Sequence, residues 1–347
     1  MSDKKTYNPK QVVWEITLNC NLKCLHCGSS AGKTRPNELS TEEALHLCND
    51  LAEIGFRGMG LMGGELFLRK DWETISKRIK DLGIALSIIS NGFFNTENII
   101  PKLTKLEVDC FMIGLDGATA KTHDAIRGVS GSFDKAVQNF RSAKKSGLVT
   151  GAITTIHRNN YNELPKIRDF IVDEKIDWQI QEATPIGRFK KKLSLSGEEH
   201  YALGLFILQT QQKYSSKDFT IVGGHNIGFH SSRIPNLSLY SEWNGCIAGK
   251  EVLGIQSDGG VKGCLALSDD FIEDNIRNRS VIDIWNDQNS FEYTRRFKND
   301  DLGENCRNCK YGKSCKGGCT TRSRTITGKT HNDPYCFYRI ERELFKC

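Results

Sequence analysis

The chain has 347 residues, with 48 Lys and Arg against 42 Asp and Glu for a net charge of +6, 38% hydrophobic residues and 26% charged ones. That composition supports a buried core and excludes wholesale disorder. The longest apolar run, residues 203–208 broken by Gly204, is far short of the ~20 residues that span a bilayer. Met1-Ser2-Asp3-Lys4-Lys5 also lacks the apolar stretch of a signal peptide, so a cytoplasmic protein without a membrane partner is expected.

In chain order, the β-branched run 12–18 predicts a strand. Ser40-Thr41-Glu42-Glu43 is a capping box opening a helix to about residue 53. Strand 58–62, helix 71–82, strand 85–90 and helix 97–106, which absorbs Pro101, follow. Strand 108–115, helices 118–127 and 133–146, strand 149–156, helix 164–174 and strand 178–182 complete six strand–helix units. Such alternation predicts a parallel sheet with crossover helices, either an open doubly wound sheet or a curved partial barrel. In both, ligands gather at the carboxyl ends of the strands. A helix over 198–214 and a strand-and-loop stretch, 219–245, form a bridge. From Cys246 onward Cys, Gly, Lys and Arg dominate with little periodicity, which predicts a small unit held by metal rather than by a hydrophobic core. The expected division is 1–190, 191–245 and 246–347.

Thirteen cysteines are present. An odd total in a long chain without a secretion signal argues against a disulfide framework and for metal or Fe–S ligation. Residues 295–347 hold 13 Lys and Arg against 6 Asp and Glu, while the remaining 294 hold 35 and 36. A basic tail can signal nucleic acid, but this one shows no aromatic-interleaved stacking platform. Compensation of cysteine thiolates by Lys310, Lys313, Lys316, Arg322 and Arg324 is the preferred account, and no nucleic-acid partner is expected.

Cys20, Cys24 and Cys27 follow the first strand with spacings of three and two residues. A structural zinc normally takes four ligands. Three cysteines suit a [4Fe–4S] cluster with one iron open, and the spacing resembles that of the radical S-adenosylmethionine (SAM) enzymes. Gly63-Gly64-Glu65 matches the family segment that binds the methionine ammonium, with Leu66 where the family usually has Pro. Ser90-Asn91-Gly92 and Gly114-Leu115-Asp116-Gly117 resemble segments near the methionine and ribose, Gly114 standing where Ser is frequent. His123-Asp124-x-x-Arg127-Gly128 also recurs. The resemblance implies a SAM site of His26, Gly63, Gly64, Glu65, Ser90, Asn91, Asp116 and Arg127, with His26 near the adenine and Arg127 toward the methionine carboxylate.

Cys246, Cys264, Cys306, Cys309, Cys315, Cys319 and Cys336 resemble the seven-cysteine signature of the SPASM domain, which carries two auxiliary [4Fe–4S] clusters. A zinc-ribbon reading explains residues 306–319 alone but not their pairing with the first motif. The resemblance implies Cys306, Cys309, Cys315 and Cys336 for a distal cluster, and Cys246, Cys264 and Cys319 for a near one. No cysteine lies within 247–263. The near cluster therefore keeps an open iron, or Cys347, Asp269, Asp270 or another group completes it. Cys48 and Cys110 are expected to be packing residues.

The implied architecture is a partial (β/α)6 barrel of α/β class with a C-terminal SPASM domain. The implied cofactors are three [4Fe–4S] clusters and SAM, and the implied reaction is hydrogen abstraction from an unactivated C–H under anaerobic conditions. A ribosomally made peptide is the leading substrate, with a separate leader-binding protein as a partner and flavodoxin or ferredoxin as reductant. Alternatives are a tetrapyrrole enzyme of the haem pathway, which shares Trp14-x-x-Thr17, and a sulfatase-maturing enzyme, whose relatives often show an aromatic where this chain has Gly28. A non-catalytic Fe–S carrier or zinc-held binding module is the rival from another class, and Gly63-Gly64-Glu65 argues against it.

Overall fold

The structure, a computed structural model, describes residues 7–214, 219–235, 237–238 and 242–345. The predicted alternation is present. Strands β1 (Gln11–Thr17), β2 (Gly58–Gly63), β3 (Ala85–Ser90), β4 (Cys110–Gly114), β5 (Thr150–Ile156) and β6 (Asp177–Glu182) pair in parallel in sequence order. Helices α1 (Thr41–Ile54), α2 (Trp72–Asp81), α3 (Thr96–Lys105), α4 (Ala120–Arg127), α5 (Ser132–Lys145) and α6 (Leu164–Glu174) connect them. The capping box of α1 forms as read, Ser40 Oγ accepting from Glu43 N–H and the Glu43 carboxylate from Ser40 N–H. Asn95 caps α3 through the N–H groups of Glu97 and Asn98, and the helix runs on through Pro101.

Alternate strand residues feed one core. Val12, Trp14 and Ile16 of β1, Leu61 of β2, Ile88 of β3 and Phe111 of β4 pack in one cluster with Leu47, Ile75, Ile79, Leu103 and Phe140 from the helices. Each such side chain contributes about 1.5–3 kcal/mol on full burial. Cys48 lies wholly buried in α1, as expected of a packing residue, and Cys110 is half-buried at the start of β4.

Helix α7 (Gly197–Tyr214) leads to β7 (Ile221–Gly223), which adds parallel to β6. On the far side β8 (Val252–Ile255) adds parallel to β1, pairing Val12 with Leu253, and β9 (Gly260–Lys262) and β10 (Asp274–Asn275) continue antiparallel. The described strands form one sheet in the order β10-β9-β8-β1-β2-β3-β4-β5-β6-β7, not closed into a ring. Strands β1 to β6 follow one another without the reversal of order that marks a doubly wound sheet, so the partial barrel is the choice of the two.

Part of the C-terminal unit, expected to be held by metal rather than by a hydrophobic core, shares the barrel's core instead. The unit contains α8 (Val281–Asn286), α9 (Glu292–Arg295), α10 (Gly312–Cys315), α11 (Thr320–Thr327) and α12 (Phe337–Phe345). Leu253, Ile255, Val261, Ile284, Trp285 and Phe291 join the main core, because pairing of β8 with β1 continues the apolar face of the barrel. Among the described residues a small separate cluster appears around Cys315 and Cys319, with Phe229. No described helix is long and apolar enough to cross a membrane.

Candidate active site

The segment after β1 carries Cys20, Cys24 and Cys27 on a loop ordered by other elements. Lys23 N–H donates to Arg127 O at 3.0 Å and Leu25 N–H to Ile126 O at 2.9 Å. The Arg188 guanidinium donates to Cys24 O at 2.9 Å and Ala31 O at 2.6 Å, and its own N–H to Cys27 O at 3.0 Å. Each sulfur faces donors. Cys20 Sγ lies 3.4 Å from Leu22 N and 3.7 Å from Asn91 Nδ2, Cys27 Sγ 3.3 Å from Ala31 N, and Cys24 Sγ 3.9 Å from Arg127 Nη1. Burial pushes the Cys20 thiol up to about 11 and raises that of Cys24. Such thiols ionise when a bound metal supplies the positive charge, and three of them beside N–H donors fit a cluster.

Gly63 ends β2. A Cβ at Gly63 would come within 2.2 Å of Thr17 O, and one at Gly64 within 2.2 Å of Asn19 O, so the close seating of this turn against the cysteine loop requires both glycines. Glu65, which follows, is buried. Its carboxylate accepts from Ser90 Oγ at 3.0 Å, Asn91 N–H at 2.8 Å and Phe67 N–H at 3.3 Å. Burial pushes its carboxyl up to about 7 against these hydrogen bonds. Among the described residues no Lys or Arg pairs with it within 4.0 Å. A buried carboxylate without a cation, next to Cys20, fits an ammonium group. Glu65, Ser90 and Asn91 are thus brought together as the motif implied.

His26, Asp116 and Arg127 form a second group at the end of β4. Arg127 Nε lies 2.7 Å and His26 Nε2 3.4 Å from Asp116 Oδ2. Asp116 Oδ1 accepts from Thr155 N–H at 2.9 Å, and Asp116 O from Asn160 Nδ2 at 2.9 Å. The Arg127 charge holds the Asp116 carboxyl below its ordinary range against the opposing effect of burial, while burial pushes His26 down to about 4. Three buried imidazole nitrogens here, His26 Nδ1, His123 Nε2 and His157 Nε2, have no hydrogen-bond partner among the described residues. His157 stands 6.0 Å from His26, centroid to centroid. The sequence reading missed His157 and Arg188. His157 directly follows β5, and a polar residue at a strand's carboxyl end was a usable signal. Arg188 offered none, since its contacts lie 157 and 164 residues away.

The seven later cysteines fall into two neighbourhoods. Cys306, Cys309, Cys315 and Cys336 line one cavity together with Phe229, His230 and Asp333. Cys246 acts electrostatically on both Cys264 and Cys319. Burial raises the thiols of Cys264, Cys306, Cys315, Cys319 and Cys336. Among the described residues no three His, Cys, Asp or Glu side chains converge as ligands of a single metal ion. Asp269 is engaged elsewhere, accepting from Gln256 Nε2 at 2.6 Å and Lys262 Nζ at 3.2 Å, and Asp270 lies 3.8 Å from Arg324. Cys347 lies outside the described residues. Of Trp14-x-x-Thr17, Trp14 is wholly buried in the core, and Thr17 Oγ1 donates to Glu38.

Comparison with known proteins agrees with this geometry. The Radical SAM superfamily profile matches residues 14–171, and SPASM, an iron-sulfur cluster-binding domain, matches 246–310. The chain is 30% identical to mycofactocin maturase MftC of Mycobacterium tuberculosis, over 94% of this chain and 83% of that one. It is 27% identical to the AdoMet-dependent heme synthase of Methanosarcina barkeri, over 96% and 98%. Its fold resembles that of Streptococcus suis SuiB, with a TM-score of 0.76 at 18% identity over 96% of this chain and 76% of that one. It also resembles anSMEcpe crystallised with AdoMet and the Kp18Cys peptide, with a TM-score of 0.74 at 18% identity over 97% of both chains. The chain belongs to the radical SAM superfamily, an α/β partial barrel with a C-terminal SPASM domain.

Proposed function

We propose that this enzyme abstracts hydrogen from an unactivated C–H of a ribosomally made peptide, forming a crosslink or thioether or inverting a residue. In this reading Cys20, Cys24 and Cys27 hold a first [4Fe–4S] cluster that, reduced by flavodoxin or ferredoxin, supplies the 5′-deoxyadenosyl radical from SAM. Glu65 anchors the SAM ammonium, with Ser90 and Asn91 fixing the carboxylate. Arg127 lies toward the methionine carboxylate, Asp116 orients Arg127, and His26 faces the adenine. Residues 1–190 form the catalytic barrel, 191–245 the bridge and 246–347 the auxiliary unit. Cys306, Cys309, Cys315 and Cys336 hold the distal cluster, and Cys246, Cys264 and Cys319 the near one.

The observation that carries the peptide reading is that Cys246, Cys264 and Cys319 stand together apart from the other four, with no cysteine in 247–263 to join them. Among the described residues the two cysteines left over, Cys48 and Cys110, lie in α1 and at the start of β4. A near cluster with three protein thiolates can accept a substrate sulfur and hold it for attack by a carbon radical. The match to the mycofactocin maturase MftC supports the same reading. A tetrapyrrole substrate is the second reading, favoured by the match along nearly the whole length of the heme synthase. The shared Trp14-x-x-Thr17 favours it as well.

The test is 5′-deoxyadenosine formation by the anaerobically reconstituted enzyme with two probes. One is the peptide encoded by a short reading frame beside its gene, the other Fe-coproporphyrin III. The expected result is stimulation by the peptide, which changes mass. Stimulation by the porphyrin alone would replace this reading with the second.

A further inference from the structure

His157 follows β5 and is wholly buried. Its ring lies between two others. His26 of the first cysteine loop is 6.0 Å away, centroid to centroid, and tilted by 34°, and Phe189 of the loop after β6 is 5.6 Å away. The turn that carries His157 is held on several sides. Its own N–H donates to Asn160 Oδ1 at 2.9 Å, and Asn160 Nδ2 donates to Asp116 O at 2.9 Å and Thr155 O at 3.0 Å. Arg158 N–H donates to Leu193 O at 3.0 Å. These bonds fix the turn to the ends of β4 and β5 and to the loop after β6.

Two contacts set which ring nitrogens carry the protons. His157 Nδ1 accepts from Asn159 N–H at 3.2 Å. In the neutral ring the proton then sits on Nε2, a donor without a partner among the described residues. His26 is the reverse. Its Nε2 lies 3.4 Å from Asp116 Oδ2, so the proton faces that carboxylate, and Nδ1 is left an acceptor that is likewise without a partner. Neighbouring rings thus present one unpaired donor and one unpaired acceptor, which do not bond to each other. Buried groups of this kind are costly unless a ligand completes them. His26 keeps 11% of its side chain exposed, so the pair is not sealed off. The third orphan, His123 Nε2, belongs to a ring that packs on Phe133 of α5, 5.8 Å away.

We propose that His26 Nδ1 and His157 Nε2 together read the amino edge of the adenine of SAM, His26 accepting from the exocyclic amino group and His157 donating to the adjacent ring nitrogen N1. Adenine sets an amino donor beside a ring acceptor, the complement of the two orphan groups. The N1 edge lies away from the glycosidic bond, so it is the edge that a wholly buried ring such as His157 meets. Hypoxanthine and guanine carry an oxo acceptor and a ring N–H there, which reverses both contacts. The pair therefore selects an adenosyl ligand over an inosyl or guanosyl one. The inference rests on the reading above that His26 faces the adenine.

The test is anaerobic titration of the fully reconstituted enzyme with S-adenosylhomocysteine and with S-inosylhomocysteine, which differ on that edge alone. The wild type is expected to bind the adenine ligand at least about tenfold more tightly. H157N keeps an oxygen for Asn159 N–H and loses the outer donor. It is expected to remove most of the preference by weakening the adenine ligand. H157Q, whose amide nitrogen reaches the place of Nε2, should restore most of it. H26Q keeps a donor toward Asp116 but loses the acceptor. It is expected to lower the preference as well, and serves where H157N fails to fold. E65Q is expected to weaken both ligands alike and leave the preference intact. If it weakens neither, the ammonium assignment fails, while the preference still judges the pair. Equal binding of the two ligands by the wild type, or an unchanged preference in folded H157N or H26Q whether or not affinity falls, would overturn the proposal.

Discussion

The Arg127 guanidinium occupies the space that a side chain at Gly114 would need: a Cβ there would come within 2.0 Å of Arg127 Nη2. Arg127 is fixed in that place by Asp116, 2.7 Å away, and comes within 3.9 Å of Cys24 Sγ. The absence of the Ser frequent at this position is therefore matched by a buried arginine that takes its volume. G114A is expected to displace Arg127 and cost about 1–3 kcal/mol of stability, as overpacking does. G114A combined with R127K should cost less than the two single changes together. Chemical denaturation of the four proteins checks this coupling.

Glu65 gives the pH dependence. Its carboxyl is pushed up to about 7 by burial. A carboxyl raised in the folded state favours the protonated form, so its contribution to stability is present at low pH and lost as pH rises from about 4.5 through about 7. A bound ammonium favours the ionised form. SAM affinity is therefore expected to rise through about pH 7, until the ammonium itself titrates near about 8. E65Q should flatten that rise and weaken binding roughly ten- to hundredfold, the loss of a charge-assisted contact of about 1.5–3 kcal/mol. Anaerobic titration at several pH values checks both, with iron content unchanged.

Arg188 reaches back to the first cysteine loop by two hydrogen bonds to backbone oxygens, those of Cys24 and Ala31. Hydrogen bonds from a charged donor contribute about 1.5–3 kcal/mol each. R188A is expected to lose iron from the first cluster during gel filtration while the auxiliary clusters remain. Loss of iron from every cluster together would show that Arg188 supports the whole fold instead.

The barrel was legible in the sequence because its strands and helices carry their own periods, and α1, α3 and α4 their own side-chain caps. Ser40 and Glu43 start α1, and Val12, Trp14 and Ile16 alternate along β1, whatever the rest of the chain does. The cysteine loop and the Gly63-Gly64-Glu65 turn were legible because their residues are adjacent in sequence. The pairing of Val12 with Leu253 was not. It joins segments some 240 residues apart, and β8 is four residues long, too short for periodicity to mark. The Arg322 contacts to Asn226 and Glu182 span 96 and 140 residues between loops and helix ends. Their charges read in the sequence as compensation for thiolates, which describes Arg322 only in part, since its carboxylate partners Asp333 and Glu182 are themselves buried.

The central claim is that Cys20, Cys24 and Cys27 alone hold the cluster that cleaves SAM. The direct measurement compares wild type with the C20A/C24A/C27A triple variant after anaerobic reconstitution, counting iron and 5′-deoxyadenosine. With four irons per cluster, the wild type should carry about twelve irons and form 5′-deoxyadenosine. The triple variant should keep about eight and form none. A triple variant that still forms 5′-deoxyadenosine, or a wild type that carries only about four irons, would contradict the account.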